Sequence, residues 1–198
     1  MGRIARNQLL YDGCYAHVFS RSISKQQIFR GSEDFEAFKK ILLDAKRKGN
    51  FLIHHYCLMH THFHLAVTIN DVNAFSNSLK ELKRNYTYRF NAKTGQKGPL
   101  WRERFKSLLI EDEAYLSACG AYIEQNPVKA GIAARIQDWP HSSGRYYEDG
   151  IQDPLIDHYE VSDLRDEIGL DDEDFFTKGS GIGTSLFRIH LRDEVGVG

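Results

Sequence analysis

The sequence predicts an α+β domain, an antiparallel sheet with two helices on one face and a further helix on the other. Three observations predict it. Four β-rich runs are separated by long stretches of helical spacing, two of those runs are joined almost without a connector, and a last helical stretch follows the fourth run.

The elements follow in order. GCYAHVFSR (13–21) alternates as a strand does. Ser32 suits a helix N-cap, with Glu33 and Asp34 in the first turn. Phe35, Phe38, Leu42 and Ala45 recur at helical spacing, and Lys46, Arg47 and Lys48 precede a stop at Gly49. FLIHHYCLM (51–59) and HFHLAVTI (62–69) form a hairpin. Phe75, Leu79, Leu82, Tyr86 and Phe90 stripe a second helix over 72–91. AKTGQKGP is a loop, 107–112 a fourth strand, and a third helix runs from Glu113 until Pro127 disturbs it. The first six elements have the order of the ferredoxin-like split βαβ arrangement, and the seventh is available to cover the other face of the sheet.

The chain has 198 residues, of which 41% are hydrophobic and 12% aromatic, enough for one folded domain and a short appendage. No apolar run approaches the length of a membrane span, and the start MGRIARNQLLYDG has no signal-peptide core, so a soluble cytoplasmic protein is expected. Cys14, Cys57 and Cys119 are odd in number and lack a CxxC, which argues against a disulfide framework or a cysteine zinc site. The net charge of −1 hides a segregation: residues 148–198 hold 14 acidic and 4 basic residues, and the preceding chain 13 acidic and 22 basic. A basic body with an acidic tail is the asymmetry of a polyanion binder. The expected division is a catalytic domain over 1–147 and an acidic extension over 148–198.

Alternation in 62–69 sets Phe63, Leu65, Val67 and Ile69 on the core face and His62, His64, Ala66 and Thr68 on the other. Two neutral imidazoles at i and i+2 can share one divalent ion, although His-x-His in a strand also serves packing. His60 projects to the same side by alternation and is read as a turn bystander. His54 and His55 are expected on opposite faces of their strand. In YLSACGAYIEQNPVKAG, Tyr115, Cys119, Tyr122 and Asn126 share one helical stripe. Over the histidine face, this stripe would bring Tyr122 beside the metal and offer the Asn126 carbonyl as a third ligand; packing and helix capping are the alternative. The chain has no GxxxxGK[ST] loop, so no nucleotide cofactor is expected. From Lys80 to Lys106 nine basic residues stand against two glutamates, interleaved with aromatics, a pattern that suits single-stranded nucleic acid. Arg21, Lys83, Arg84, Trp101, Arg102, Arg104 and Lys106 are the candidates for DNA contact.

HVFSRSISKQQIF, YCLMHTHFHL, GPLWRERFKSLLI, YIEQNPVKAG and DWPHSSGRYY, in that order, resemble the single-tyrosine HUH transposases, the IS200-like family, and within it the REP-associated tyrosine transposases. The resemblance covers about residues 10–147. It implies Tyr122 as the nucleophile and His62 and His64 as metal ligands, with Asn126 where the family has a third polar ligand. It further implies magnesium or manganese, hairpins in single-stranded DNA as the partner, and a 5′-phosphotyrosine with a free 3′-OH. His60-Thr61 replaces the family's usual Pro-Asn before the first ligand. A replication initiator or relaxase using Tyr115 as a second nucleophile, and a catalytically idle DNA-binding descendant, are the competing readings. The sequence leaves a homodimer open, and the acidic tail is offered as a regulator docking over the site.

Overall fold

A computed structural model describes residues 10–159; residues 160–198, with most of the acidic tail and its expected regulatory role, lie outside the described residues. Strands β1 (Cys14–Arg21), β2 (Phe51–Met59), β3 (His62–Ile69) and β4 (Lys106–Ile110) form one sheet in the order β2-β3-β1-β4, each neighbouring pair antiparallel. The helices are α1 (Ser32–Gly49), α2 (Val72–Thr94), α3 (Glu113–Glu124), α4 (Asn126–Lys129) and α5 (Gly144–Asp149). The α+β class and the order of the first seven elements are those the periodicity predicts.

α1 and α2 pack together on the face that carries Phe63, Leu65 and Val67. Phe38 meets Phe63 with ring centroids 5.3 Å apart, and Tyr86 meets Phe38 at 5.1 Å. Phe29, Phe35, Phe38, Phe63 and Tyr86 are buried there, each worth roughly 1.5–3 kcal/mol of transfer free energy. The helix ends differ from expectation in detail. Gly31, not Ser32, holds the cap position of α1, and Asp34 reaches back to accept the Arg30 N–H. Asn50 makes the left-handed turn after α1, and Gly49 is small because a Cβ there would overlap Ser78 and Phe51.

The outer edge of β2 is covered. Leu58 N–H donates to the His141 carbonyl, Ser143 N–H to the Tyr56 carbonyl, and Asp157 N–H to the Ile53 carbonyl. An edge strand paired in this way offers no free ladder to another chain. Residue 147 therefore lies within α5 and not at the end of the packed body: the described chain beyond it still packs on the sheet, anchored by Lys46 Nζ at 2.6 Å from Asp157 Oδ2. The three cysteines are buried and unpaired. Among the described residues no helix is long and apolar enough to cross a membrane.

Candidate active site

The sheet face opposite α1 and α2 is lined by imidazoles and covered by α3. His62 and His64 stand side by side on β3, ring centroids 5.0 Å apart and nearly perpendicular. In β1, which lies next to β3, His17 pairs with Ala66 and Phe19 with His64, so the His17 ring lies diagonally across from His64. His17 Nε2 is 2.9 Å from His64 Nδ1, and the two rings are stacked at 5.2 Å. His62 Nδ1 is hydrogen-bonded to Thr61 Oγ1 at 2.8 Å. His64 Nε2 and His17 Nδ1 are buried with no hydrogen-bond partner among the described residues.

Burial dominates the electrostatics. It holds the His62 imidazole at about 3, with a further push from the Arg21 guanidinium, and the His17 imidazole at about 4. Burial first, then His62, His17 and Arg21, keeps His64 far below the usual histidine range. All three rings are neutral near pH 7, the form that donates a lone pair to a metal. A pair of neutral imidazoles, one with a buried unpartnered nitrogen, fits a divalent ion in its chemistry. Among the described residues no three His, Cys, Asp or Glu side chains converge as a group that could hold a metal ion.

α3 starts where Asp112 caps it, the carboxylate accepting the Tyr115 N–H. Its close approach to the sheet depends on Gly120, whose missing Cβ makes room for the His55 ring. Glu124 fastens the far end: its Oε1 lies 2.9 Å from His55 Nδ1 and accepts from Ser143 Oγ at 2.6 Å, all three buried. The Trp-Pro-x-Ser-Ser segment thereby acquires a physical role, since Ser143 ties β2 to α3. The Tyr122 ring meets the His17 ring edge-on at 6.4 Å, and Lys129 Nζ lies 4.5 Å above the Tyr122 ring. Tyr122 is therefore on the imidazole side of its helix. Asn126 Nδ2 donates to the carbonyls of Tyr122 and Ile123, which turns the carboxamide back on the end of α3 as a cap. α3 ends at Glu124, just before Pro127, as expected, and Pro127 stands at the start of the short α4, where its missing N–H is harmless.

The structure revises several expectations. Lys83 and Trp101, expected to contact DNA, are buried: Lys83 Nζ donates to the Glu103 carbonyl and lies over the Trp101 ring, and Trp101 Nε1 donates to the Lys83 carbonyl. They brace the segment that carries Arg102 and Arg104, both exposed. Arg21 faces His62 in register and its carbonyl accepts the Arg102 N–H. Lys106 Nζ lies 5.9 Å over the Phe19 ring, which stacks on His64. Arg84 is exposed on α2 beside Glu81. His54 and His55 share one face, because Ile53 pairs with Val67 but His55 with Ala66, leaving His54 as the extra residue of a β-bulge. His54 Nε2 contacts Thr68 Oγ1 at 2.7 Å on that face. His60 leaves the set: its Nδ1 bonds the Phe29 carbonyl, and its ring lies against Phe35 and Trp139. Sequence reasoning missed His17. The available signal was alternation in GCYAHVFSR together with a topology that sets this strand beside 62–69.

The chain is 31% identical over 98 residues to a putative REP-associated tyrosine transposase of Haemophilus influenzae, covering 44% of this chain and 55% of the relative. It is 26% identical over 110 residues to the REP-associated tyrosine transposase of Escherichia coli, covering 55% and 64%. It thus spans less than two thirds of either relative. In fold it is similar to a REP-associated tyrosine transposase solved bound to a REP hairpin, with a TM-score of 0.58 at 20% identity over 82% of this chain and 96% of the other. The model of the family described as "Transposase IS200 like" matches residues 10–126, and this chain belongs to that family.

Proposed function

We propose that the chain cleaves and rejoins single-stranded DNA beside hairpins, as REP-associated tyrosine transposases would, with Tyr122 as the nucleophile. The observation that carries this reading is the edge contact of the Tyr122 ring with His17, the ring bonded to His64. It supports a phenol standing over the imidazole face.

The Tyr122 Oη attacks the scissile phosphorus and the P–O3′ bond breaks. The phenol proton passes in net to the 3′ oxygen, giving a 5′-phosphotyrosine and a free 3′-OH. The number of phosphodiester bonds is conserved, so attack by a 3′-OH on the adduct rejoins DNA without ATP. A phenol of ordinary pKa near 10 needs help at neutral pH. His62, His64 and the side-chain Oδ1 of Asn126, whose Nδ2 stays on the Tyr122 and Ile123 carbonyls, would hold a divalent ion, magnesium or manganese, which when bound would neutralise charge developing on the phosphate. Lys129, over the ring of Tyr122, adds a positive charge beside the phenol. Arg21 and Lys106, near the imidazole pair, and the exposed Arg102 and Arg104 supply phosphate contacts, with Arg84 as an outlying one.

The test incubates labelled single-stranded hairpin DNA with manganese and compares the parent with Tyr122→Phe. A covalent adduct in the parent alone supports the reading. An adduct that survives the substitution refutes Tyr122 as the nucleophile. Binding without any adduct in the parent supports instead a catalytically idle descendant.

A further inference from the structure

We infer that His17 is a positioning residue: it accepts the Nδ1–H of His64 and so fixes that ring with its Nε2 lone pair turned toward the bound ion. This rests on the proposed metal reading, and it concerns a residue outside the Tyr122, His62, His64 and Asn126 set.

A neutral imidazole carries one N–H, so two rings bonded through His17 Nε2 and His64 Nδ1 at 2.9 Å have two arrangements. If His17 donates, His64 carries its proton on Nε2 and presents an N–H where a cation should sit. If His64 donates, Nε2 is a lone pair. Both rings are buried, and the two outer nitrogens find no partner among the described residues. An ion beside His62 and His64 removes the unpaired state of His64 Nε2 only in the second arrangement. His62 Nδ1 also has an outer partner, Thr61 Oγ1 at 2.8 Å, whose hydroxyl can accept the same kind of bond. Outer partners of this kind set the tautomer and ring orientation of metal-binding histidines. His17 also touches the other half of the site, since its ring meets Tyr122 edge-on. One buried ring thus orients a ligand and limits where the nucleophile's ring can lie.

The experiment uses the full chain in two measurements. Nitrogen-15 NMR of the imidazoles near neutral pH, with magnesium present, reads the tautomer of His64 in the parent and needs no variant. Manganese affinity is measured by electron paramagnetic resonance in the parent, His17→Gln, His17→Leu and His64→Ala. The expected result is a proton on His64 Nδ1, an affinity about 10-fold or more weaker in His17→Leu, and near-parent affinity in His17→Gln, whose amide oxygen can accept the same bond. A proton on His64 Nε2 in the parent overturns the inference, as does an unchanged affinity in His17→Leu while His64→Ala binds weakly. Absence of manganese binding in the parent overturns the metal reading and the inference with it, and is recognised before any variant is compared.

Discussion

Gly120 of α3 lies against the imidazole ring of His55 on β2, so closely that a Cβ on residue 120 would overlap three atoms of that ring. Backbone-to-ring contact at this point sets the height of α3 above the sheet, and with it the distance from the Tyr122 ring to His17. Gly120→Ala adds one methyl group where none fits. It is expected to cost about 1–3 kcal/mol by overpacking, read from urea melts. Adduct formation should fall further than the lost folded fraction accounts for, because α3 is lifted. Parent-like activity in a destabilised Gly120→Ala would separate helix height from catalysis.

Glu124 is fastened by two buried partners, His55 and Ser143. Glu124→Ala leaves buried His55 Nδ1 without its partner and takes one of the partners of Ser143 Oγ, for a loss of about 2–3 kcal/mol. Ser143→Ala removes a hydroxyl bonded to Glu124 Oε1 and to the Tyr56 N–H and carbonyl, and should cost about 1–2 kcal/mol. Thermal melts of the two variants give the comparison, and equal losses would show that Ser143, not the His55–Glu124 contact, holds α3 down.

Exposed and buried cations of the same segment should part company in DNA binding. Arg102→Ala or Lys106→Ala is expected to reduce the slope of log affinity against log salt by about one contact each. Lys83→Met should leave that slope near the parent value and lower stability instead, since its ammonium is occupied by the Glu103 carbonyl and the Trp101 ring. Fluorescence anisotropy of a labelled hairpin across a salt series distinguishes the two. A slope lost equally in Lys83→Met would restore that residue to the DNA surface.

Acid should weaken the fold well above the carboxylate range. His141, stacked on Phe35 at 3.6 Å, is held at about 4, by burial first and then by Lys39. The unfolded chain takes its proton near pH 6.5 and the folded chain near 4. Between those values the unfolded state binds more protons, and stability falls as pH is lowered. Urea midpoints measured from pH 7 to 4 should decline in the parent and decline less in His141→Gln. Identical slopes would assign the acid sensitivity to other groups.

Much of this was legible in the chain. Helical spacing of Phe35, Phe38 and Leu42, and alternation in 62–69, located the layers because periodicity records which face of an element is dry. His62 and His64 were paired by the same rule, and Tyr122 and Asn126 by a helical spacing of four residues, which the structure divides between the end of α3 and the start of α4. His54 and His55 were misplaced because a bulge adds one residue and reverses alternation without any sequence mark. Lys83 and Trp101 looked like surface chemistry because a charge run and an aromatic residue give no depth. Depth depends on what packs above them.

By itself the sequence determined the succession of strands and helices, the dry and wet faces of each, and the family, since these are local patterns that survive without knowledge of neighbours. Tertiary structure alone decided that His17 meets His64, that His55 holds Glu124, and that Gly120 brings Tyr122 down over the imidazoles. Each of those contacts joins distant segments through strand register and side-chain volume, and neither quantity is written in any one stretch of chain.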